Sequence, residues 1–295
     1  MLLDSAQLNA FATVIDEGSF ERAAAVLHIT RSAVSQRVKL LEERVGQVLV
    51  RRATPCTATE AGQALYRHAR EIALSEADAL ATLGGGQHTC TRLAIGVNAD
   101  SLATWFPHAM AQAAEGQSIT FDIHVEDQDH SANLLREGRV MAAVTADPQA
   151  VQGCKVLPLG TLRYRALASP AFMQRHFAQG VNAAALAQAP MLVFNRKDAL
   201  QARFVGRITR RKIAPPVHWL PEAHAFVMAA RAGLGWGMVP DPLADNDLQR
   251  ATLAELIPGK PVDVPLYWQY WRLNVQALHH MTEAVRHASA AALRG

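Results

Sequence analysis

Residues 30–44, TRSAVSQRVKLLEER, place the tightest constraint on what this chain can become. On a helical wheel Val34, Val38, Leu41 and Val45 fall within about 60° of one another. The opposite side carries Ser32, Gln36, Lys39 and Glu43, with Ser35 and Arg37 on the flanks. A helix of this kind buries one side and must present the other to something. A purely solvated face usually carries more Glu/Lys pairs at a spacing of four. Here short hydrogen-bonding groups and two cations dominate.

The preceding residues supply the buried partner. Asp4 or Ser5 can cap a first helix whose apolar stripe is Leu8, Phe11, Ala12 and Ile15, and Gly18 ends it. Ser19 caps a second helix, FERAAAVL, where Ala23 and Ala24 are small enough for close helix approach. His28 and Ile29 form a short turn, and Thr30 or Ser32 caps the third helix. Two helices joined by a tight turn, the second bearing polar groups outward, make a DNA-reading helix-turn-helix pattern. Gln pairs two ways with adenine, Ser meets several base edges, and Arg and Lys reach guanine or phosphate. The competing reading is an ordinary surface helix of a bundle. The wheel does not separate the two; the chain's positive surplus does sit here, since the whole chain is only +3 and window 21–52 alone, with seven cations against three Glu, is +4. The candidate DNA contacts are Thr30, Arg31, Ser32, Ser35, Gln36, Arg37 and Lys39. After Gly46, Leu49 and Val50 suit a short strand, Arg51 and Arg52 begin a hairpin-like wing, and Pro55 breaks it.

Thr57 with Glu60, or Thr59 alone, starts the next helix. Residues 60–82 hold no Pro and no Gly after Gly62. The helix should span about 35 Å. Its stripe is Ala61, Leu65, His68/Ala69, Ile72, Ala79, Leu80 and Leu83, which is hard to bury within one chain, so pairing with a second copy is expected. GGGQHTC at 84–90 reads as an interdomain hinge.

From Arg92 the pattern alternates LAIGV, a helix SLATWFPHAMAQAA, ITFDIHVE, a helix SANLLREG and VMAAVTA. Strand, helix, strand, helix, strand predicts a parallel α/β sheet. The pattern restarts with LRYRALAS, a helix near 183–188, MLVF, a helix from about 198, VHWL, the helix EAHAFVMAARAG and the strand GWGMVP. Two such halves imply two lobes and a cleft. Ligands of open α/β sheets sit outside the carboxyl ends of strands. That rule selects Asn98, Asp100, Ser101, Glu126, Asp127, Thr145 and Asp147 from one half. From the other it selects Asn195, Arg196, Asp198, Glu222 and His224. Six carboxylates face Arg196 alone, which favours a ligand that is cationic overall and carries one acid group. A basic amino acid fits.

The stretch GSFERAAAVLHITRSAVSQRVKLLEERVGQVLVRR closely resembles the winged helix-turn-helix of LysR-type transcriptional regulators, and AFVMAARAGLGWGMVP resembles the signature of their effector domain. GVNADSLATW, VED, NRKDALQ and GLGWGMVP resemble the ArgP and LysG branch of that family, along nearly the whole chain. The resemblance implies a winged helix-turn-helix at 1–58, with Arg51 and Arg52 in a wing that touches backbone and minor groove. It implies a dimerising linker helix at 59–83, a hinge at 84–91, and a two-lobed, periplasmic-binding-protein-like α/β effector domain at 92–295. Lobe 1 is expected at about 92–161 plus 267–295, and lobe 2 at about 162–266. The implied partners are double-stranded promoter DNA, a second copy in dimers and tetramers, RNA polymerase, and lysine, arginine or histidine, with an amino-acid exporter gene as target. Arg31 departs from the family, which often has Gln or Pro there, and His224 stands where some relatives carry a carboxylate.

Other classes find little support. Cys56, Cys90 and Cys154 are odd in number and far apart, with no CxxC, so neither a zinc site nor a disulfide framework is expected. Half of the residues are hydrophobic and 19% charged, which excludes a disordered chain. No apolar run approaches the roughly 20 residues of a membrane span, and MLLDSAQLNAF lacks the form of a leader, so a cytoplasmic chain is expected. No GxSxG, GxGxxG, P-loop or HExxH occurs, and the histidines, His279–His280 included, are scattered, so neither an enzyme nor a cofactor or metal is expected. The alternatives are a different small-molecule effector or, for the second half alone, a solute-binding protein.

Overall fold

The computed structural model describes residues 3–82, 90–127 and 131–295. The expected hinge at 84–91 therefore lies outside the described residues except for its last two, and so does Leu83. The first unit is α1 (Ser5–Glu17), α2 (Phe20–Val26), α3 (Arg31–Val45) and a hairpin of β1 (Val50–Arg51) with β2 (Thr57–Ala58). Asp4, Ser19 and Thr30 cap the three helices by accepting from Gln7, Arg22 and Ala33 backbone N–H groups. Gly18 and Gly46 end α1 and α3 at φ +62° and +75°, a conformation that a side chain would strain. Val34, Val38 and Leu41 are fully buried against Phe11, Val14 and Ala23, while Val45 is half-buried at the edge.

The hairpin is tied to α3 by Glu42, whose Oε1 accepts from Leu49 N at 2.8 Å and Val50 N at 3.2 Å. It also lies against α4 (Glu60–Thr82), where a Cβ on Gly62 would sit 2.1 Å from the Leu49 carbonyl oxygen. The expectation that α4 cannot bury its stripe within one chain needs correction. Tyr66 and Ala69 are buried in the first unit's core, and Ala61, Leu65 and Ile72 pack on it. Leu74 joins the core of the second unit instead. Only the outer stretch leaves Ala73, Ala77 and Leu80 lining a groove with α1, and Leu80 is 53% exposed.

Arg67 of α4 docks into the second unit. Its guanidinium donates to the Gln152 and Gly153 carbonyls at 2.8 and 3.1 Å and lies 5.3 Å from the Trp271 ring. Gly153 makes room for it, since a Cβ there would come within 2.5 Å of Nη2. Asp78 reaches the same unit and accepts from Gln276 N at 3.0 Å.

The second unit begins β3 (Thr91–Val97), α5 (Ala99–Ala103), α6 (Phe106–Ala114), β4 (Ile119–Val125), α7 (Ser131–Arg136), β5 (Ala142–Thr145) and β6 (Cys154–Ala168). It continues with α8 (Pro170–His176), α9 (Ala183–Gln188), β7 (Met191–Val193), α10 (Leu200–Gly206), β8 (Val217–Trp219) and α11 (Ala223–Arg231). It closes with β9 (Gly237–Pro240), α12 (Asp241–Gln249), β10 (Ala254–Glu255), β11 (Val262–Trp271) and α13 (Gln276–Ala292). The single helix expected over SLATWFPHAMAQAA is two, with Pro107 in the first turn of the second, where its missing N–H costs nothing.

The expected parallel sheet is a mixed one. β3 pairs β4 and β5 in parallel, but β11 is antiparallel to β5 and β6, giving the order β10-β6-β11-β5-β3-β4, with β9 also on β6. β5 and the start of β6 pair with the end of β11, whereas β9 and β10 pair with the end of β6. The register of β6 against β11 breaks between Leu266 and Tyr267, beside Gly160 at φ +121°. Two long strands thus run through both lobes, and the bulge re-aims them where one lobe gives way to the other. The second lobe's β7 and β8 form a parallel pair that joins the segment before β9 through a Met191–Trp236 bridge.

Candidate functional site

Two places gather the polar groups that the sequence singles out. The first is the outer face of α3. Thr30, Arg31, Ser32, Gln36 and Lys39 are exposed and Ser35 is half-buried. Thr30 Oγ1 and Ser32 Oγ lie 2.9 Å apart. Arg31 pairs with Glu21 of α2 at 2.8 Å, and Lys39 with Glu43 at 3.6 Å, both largely exposed. Such pairs are worth roughly 0–1 kcal/mol and yield readily to phosphate. Arg37 is half-buried and lines the groove between α1 and α4, so it stands apart from Ser32 and Gln36. Arg51 and Arg52 are exposed on the hairpin, and the Arg52 guanidinium lies over the Phe20 ring at 5.2 Å.

The second place is a cavity between the lobes. One wall is Asn98, Asp100, Val125, Glu126 and Asp127, at the carboxyl ends of β3 and β4. The other is Phe194, Asn195, Asp198 and Leu200 after β7, with Phe226 of α11 and Met238 to Pro240 of β9. Asn98 is 2% exposed, and both its amide atoms lack a protein hydrogen-bond partner among the described residues. The Oγ of Ser101, fully buried three residues on, is likewise unpartnered. Buried polar groups left so cost about 1–3 kcal/mol each, and of these two residues only Asn98 lines the cavity, where a ligand could satisfy it.

Asp100 accepts from the Tyr164 hydroxyl at 2.7 Å. Burial pushes its carboxyl up to about 6, Tyr164 opposes the rise, and Asp198 and Asp127 add to it. Asp198 also takes the backbone N–H groups of Phe194 and Leu200 at 3.1 and 3.0 Å, which fixes the loop. Asn195 Oδ1 accepts from Lys197 N at 2.7 Å and Asp198 N at 3.2 Å. Glu126 meets Lys197 Nζ from the opposite lobe at 2.8 Å. Among the described residues, four carboxylates line the cavity and no Lys or Arg does, Lys197 reaching Glu126 from beside it.

Of the twelve residues selected from the sequence, Asn98, Asp100, Glu126, Asp127, Asn195 and Asp198 line this cavity, while Ser101 is fully buried and is not in its lining. Five others do not line it either. Glu222 caps α11, and the N–H groups of Ala225 and His224 hold its carboxyl below the usual range. His224 is exposed, and Arg196 stacks on Trp219 at 5.5 Å. Thr145 is fully buried and accepts from Asp147 N at 3.0 Å, while Asp147 pairs with Arg136 at 3.8 Å. Sequence reasoning missed Lys197, Tyr164 and the apolar wall. Lys197 adjoins Arg196 in one loop, and nothing local says which cation turns inward.

Residues 5–63 match the family described as bacterial regulatory helix-turn-helix protein, lysR family, and residues 86–293 match the LysR substrate binding domain. The chain belongs to the LysR family of transcriptional regulators. This is a family of DNA-binding regulators, not of enzymes. The chain is similar to ArgP from Mycobacterium tuberculosis, with 48% identity, all of both chains covered and a TM-score of 0.88. The lysine export transcriptional regulatory protein LysG of Corynebacterium glutamicum is 41% identical, over 98% of each chain. The structure of full-length C. glutamicum LysG with bound effector arginine covers 99% of this chain and is itself wholly covered, at 40% identity and a TM-score of 0.81. A LysR-type chain joins a DNA-reading unit to a ligand-binding one, which is the division seen here. Among the described residues no helix is long and apolar enough to cross a membrane, and no group of three or more His, Cys, Asp and Glu could hold a metal ion.

Proposed function

We propose that this regulator senses a basic amino acid, lysine, arginine or histidine, in the cavity between its lobes, and controls an exporter gene accordingly. The observation that carries the reading is the cavity's charge: Asp100, Glu126, Asp127 and Asp198 converge there, and Lys197 meets Glu126 beside them. The Asn98 amide, which lines the cavity and has no hydrogen-bond partner among the described residues, suits the ligand's α-carboxylate or α-ammonium. The relatives named for lysine export and for bound arginine support the same class. Lobe 1 is 92–161 plus 267–295 and lobe 2 is 162–266, meeting at the bulge beside Gly160.

On the DNA side, Thr30, Arg31, Ser32, Ser35, Gln36 and Lys39 enter a major groove, and Arg51 and Arg52 meet the backbone and minor groove; Arg37, turned toward α1 and α4, is not among these contacts. Residues 59–83 pair with a second copy, and the groove beside Ala73, Ala77 and Leu80 offers the apolar seam. Dimers pair again as tetramers that bend promoter DNA and meet RNA polymerase. The protein works in the cytoplasm, without cofactor or enzymatic activity. Ligand binding closes the lobes and shifts the subunit geometry, which requires different affinities in the two states. Calorimetry with lysine, arginine and histidine tests the effector class, and binding by none of them ends it. A salt-sensitive, site-specific shift of the promoter fragment beside this gene tests the DNA side independently.

A further inference from the structure

The cavity is small for what it is asked to hold. It encloses about 90 Å³. Ligand sites usually offer at least about 300 Å³. An amino acid fits more readily if the lobes part. Lys197 is not in the cavity's lining, but it ties the two lobes together beside it. It rises from the loop after β7 in one lobe, and its Nζ lies 2.8 Å from Glu126 Oε1 at the end of β4 in the other. The pair crosses the cleft, and the lysine side chain is 48% exposed against 28% for Glu126. Its ammonium is the same chemical group that a basic effector brings.

We infer that Lys197 is a built-in competitor for the effector: its ammonium occupies Glu126 across the cleft, and a basic amino acid binds by displacing it. The neighbouring cation Arg196 does not share this role, because it is drawn outward onto Trp219. Half-exposed ion pairs are weak, so the competitor is readily displaced. It also raises specificity. A ligand without a side-chain cation cannot replace Lys197 at Glu126, so opening that pair brings it no compensating contact.

This inference rests on the basic amino-acid reading, and the test separates the two. Lysine and arginine are titrated calorimetrically into the full-length wild-type protein, Lys197→Met, Glu126→Gln and the double variant. Lys197→Met is expected to bind about threefold to fivefold more tightly than wild type, the range that an exposed pair supports. In the Glu126→Gln background the same change is expected to do nothing, because its counterpart is gone. Unchanged or weaker binding by Lys197→Met overturns the inference and leaves the effector reading intact. So does a gain that persists undiminished beside Glu126→Gln, which would mean a general field effect of one charge. Failure of all four proteins to bind either amino acid overturns the effector reading and this inference with it.

Discussion

Replacing Asp100 by Asn should stabilise the unliganded protein while weakening its grip on a cationic effector. Asp100 titrates near 6 instead of 3.8, chiefly because burial disfavours its charge. At about 1.36 kcal/mol per pH unit, ionising it at neutral pH costs the fold about 3 kcal/mol. That figure is a ceiling, since part of the residue's surface stays open to the cavity. The sign follows from proton counting. Below pH 3.8 folded and unfolded chains both hold the proton, and no cost arises. Between 3.8 and about 6 the folded chain keeps a proton that the unfolded one loses, so stability falls as pH rises and levels off above 6. Asn keeps the shape and still accepts from Tyr164, without a charge to bury. Thermal unfolding of the effector-domain transition at pH 4 and pH 7.5 measures the difference. Asp100→Asn should gain up to about 3 kcal/mol at the higher pH and almost nothing at the lower. Calorimetry of the same variant should show weaker lysine and arginine binding, because the attraction to an ionised carboxylate is gone. A variant less stable than wild type at pH 7.5, or a difference that ignores pH, refutes the reasoning.

Gln36→Ala should lose about 1–3 kcal/mol of discrimination between operator and mismatched DNA, with effector affinity unchanged, as read by competition binding at fixed salt. Glu42→Ala removes the acceptor for the Leu49 and Val50 N–H groups; it should destabilise the winged unit by about 2 kcal/mol and weaken DNA binding, seen by denaturation and by shift assay. Arg67→Met removes the hydrogen bonds that dock α4 on the Gln152 and Gly153 carbonyls. It should leave effector affinity within about twofold and DNA binding measurable, while shrinking the effect of one on the other, which a linked titration reads directly.

Local rules reached far in the first unit. Helix caps, glycine stops and the valine stripe act within a few residues, so the roles of Ser19, Gly18 and Gly46 are legible in the sequence alone, while the structure chooses Asp4 over Ser5 and Thr30 over Ser32. The wheel of α3 separated Val34, Val38 and Leu41 from Ser32, Gln36 and Lys39 because a helix has a fixed period. In the second unit the strand-end rule reached the right loops, and half of the candidate residues line the cavity. It could not say which way each side chain turns. Glu222 is claimed by the first N–H groups of α11, and Arg196 by Trp219.

The remaining features depend on residues far apart in the chain. β6 and β11 meet across about a hundred residues, so the mixed sheet left no periodic trace in either. Tyr164 reaches Asp100 over 64 positions, and Lys197 reaches Glu126 over 71. The sequence by itself determined the elements, their order and the two polar faces, because capping and periodicity are short-range. The tertiary structure alone decided which carboxylate titrates high, which cation reaches across the cleft and where α4 finds its partners. Those outcomes depend on burial and on distances between atoms, and neither exists until the chain has closed on itself.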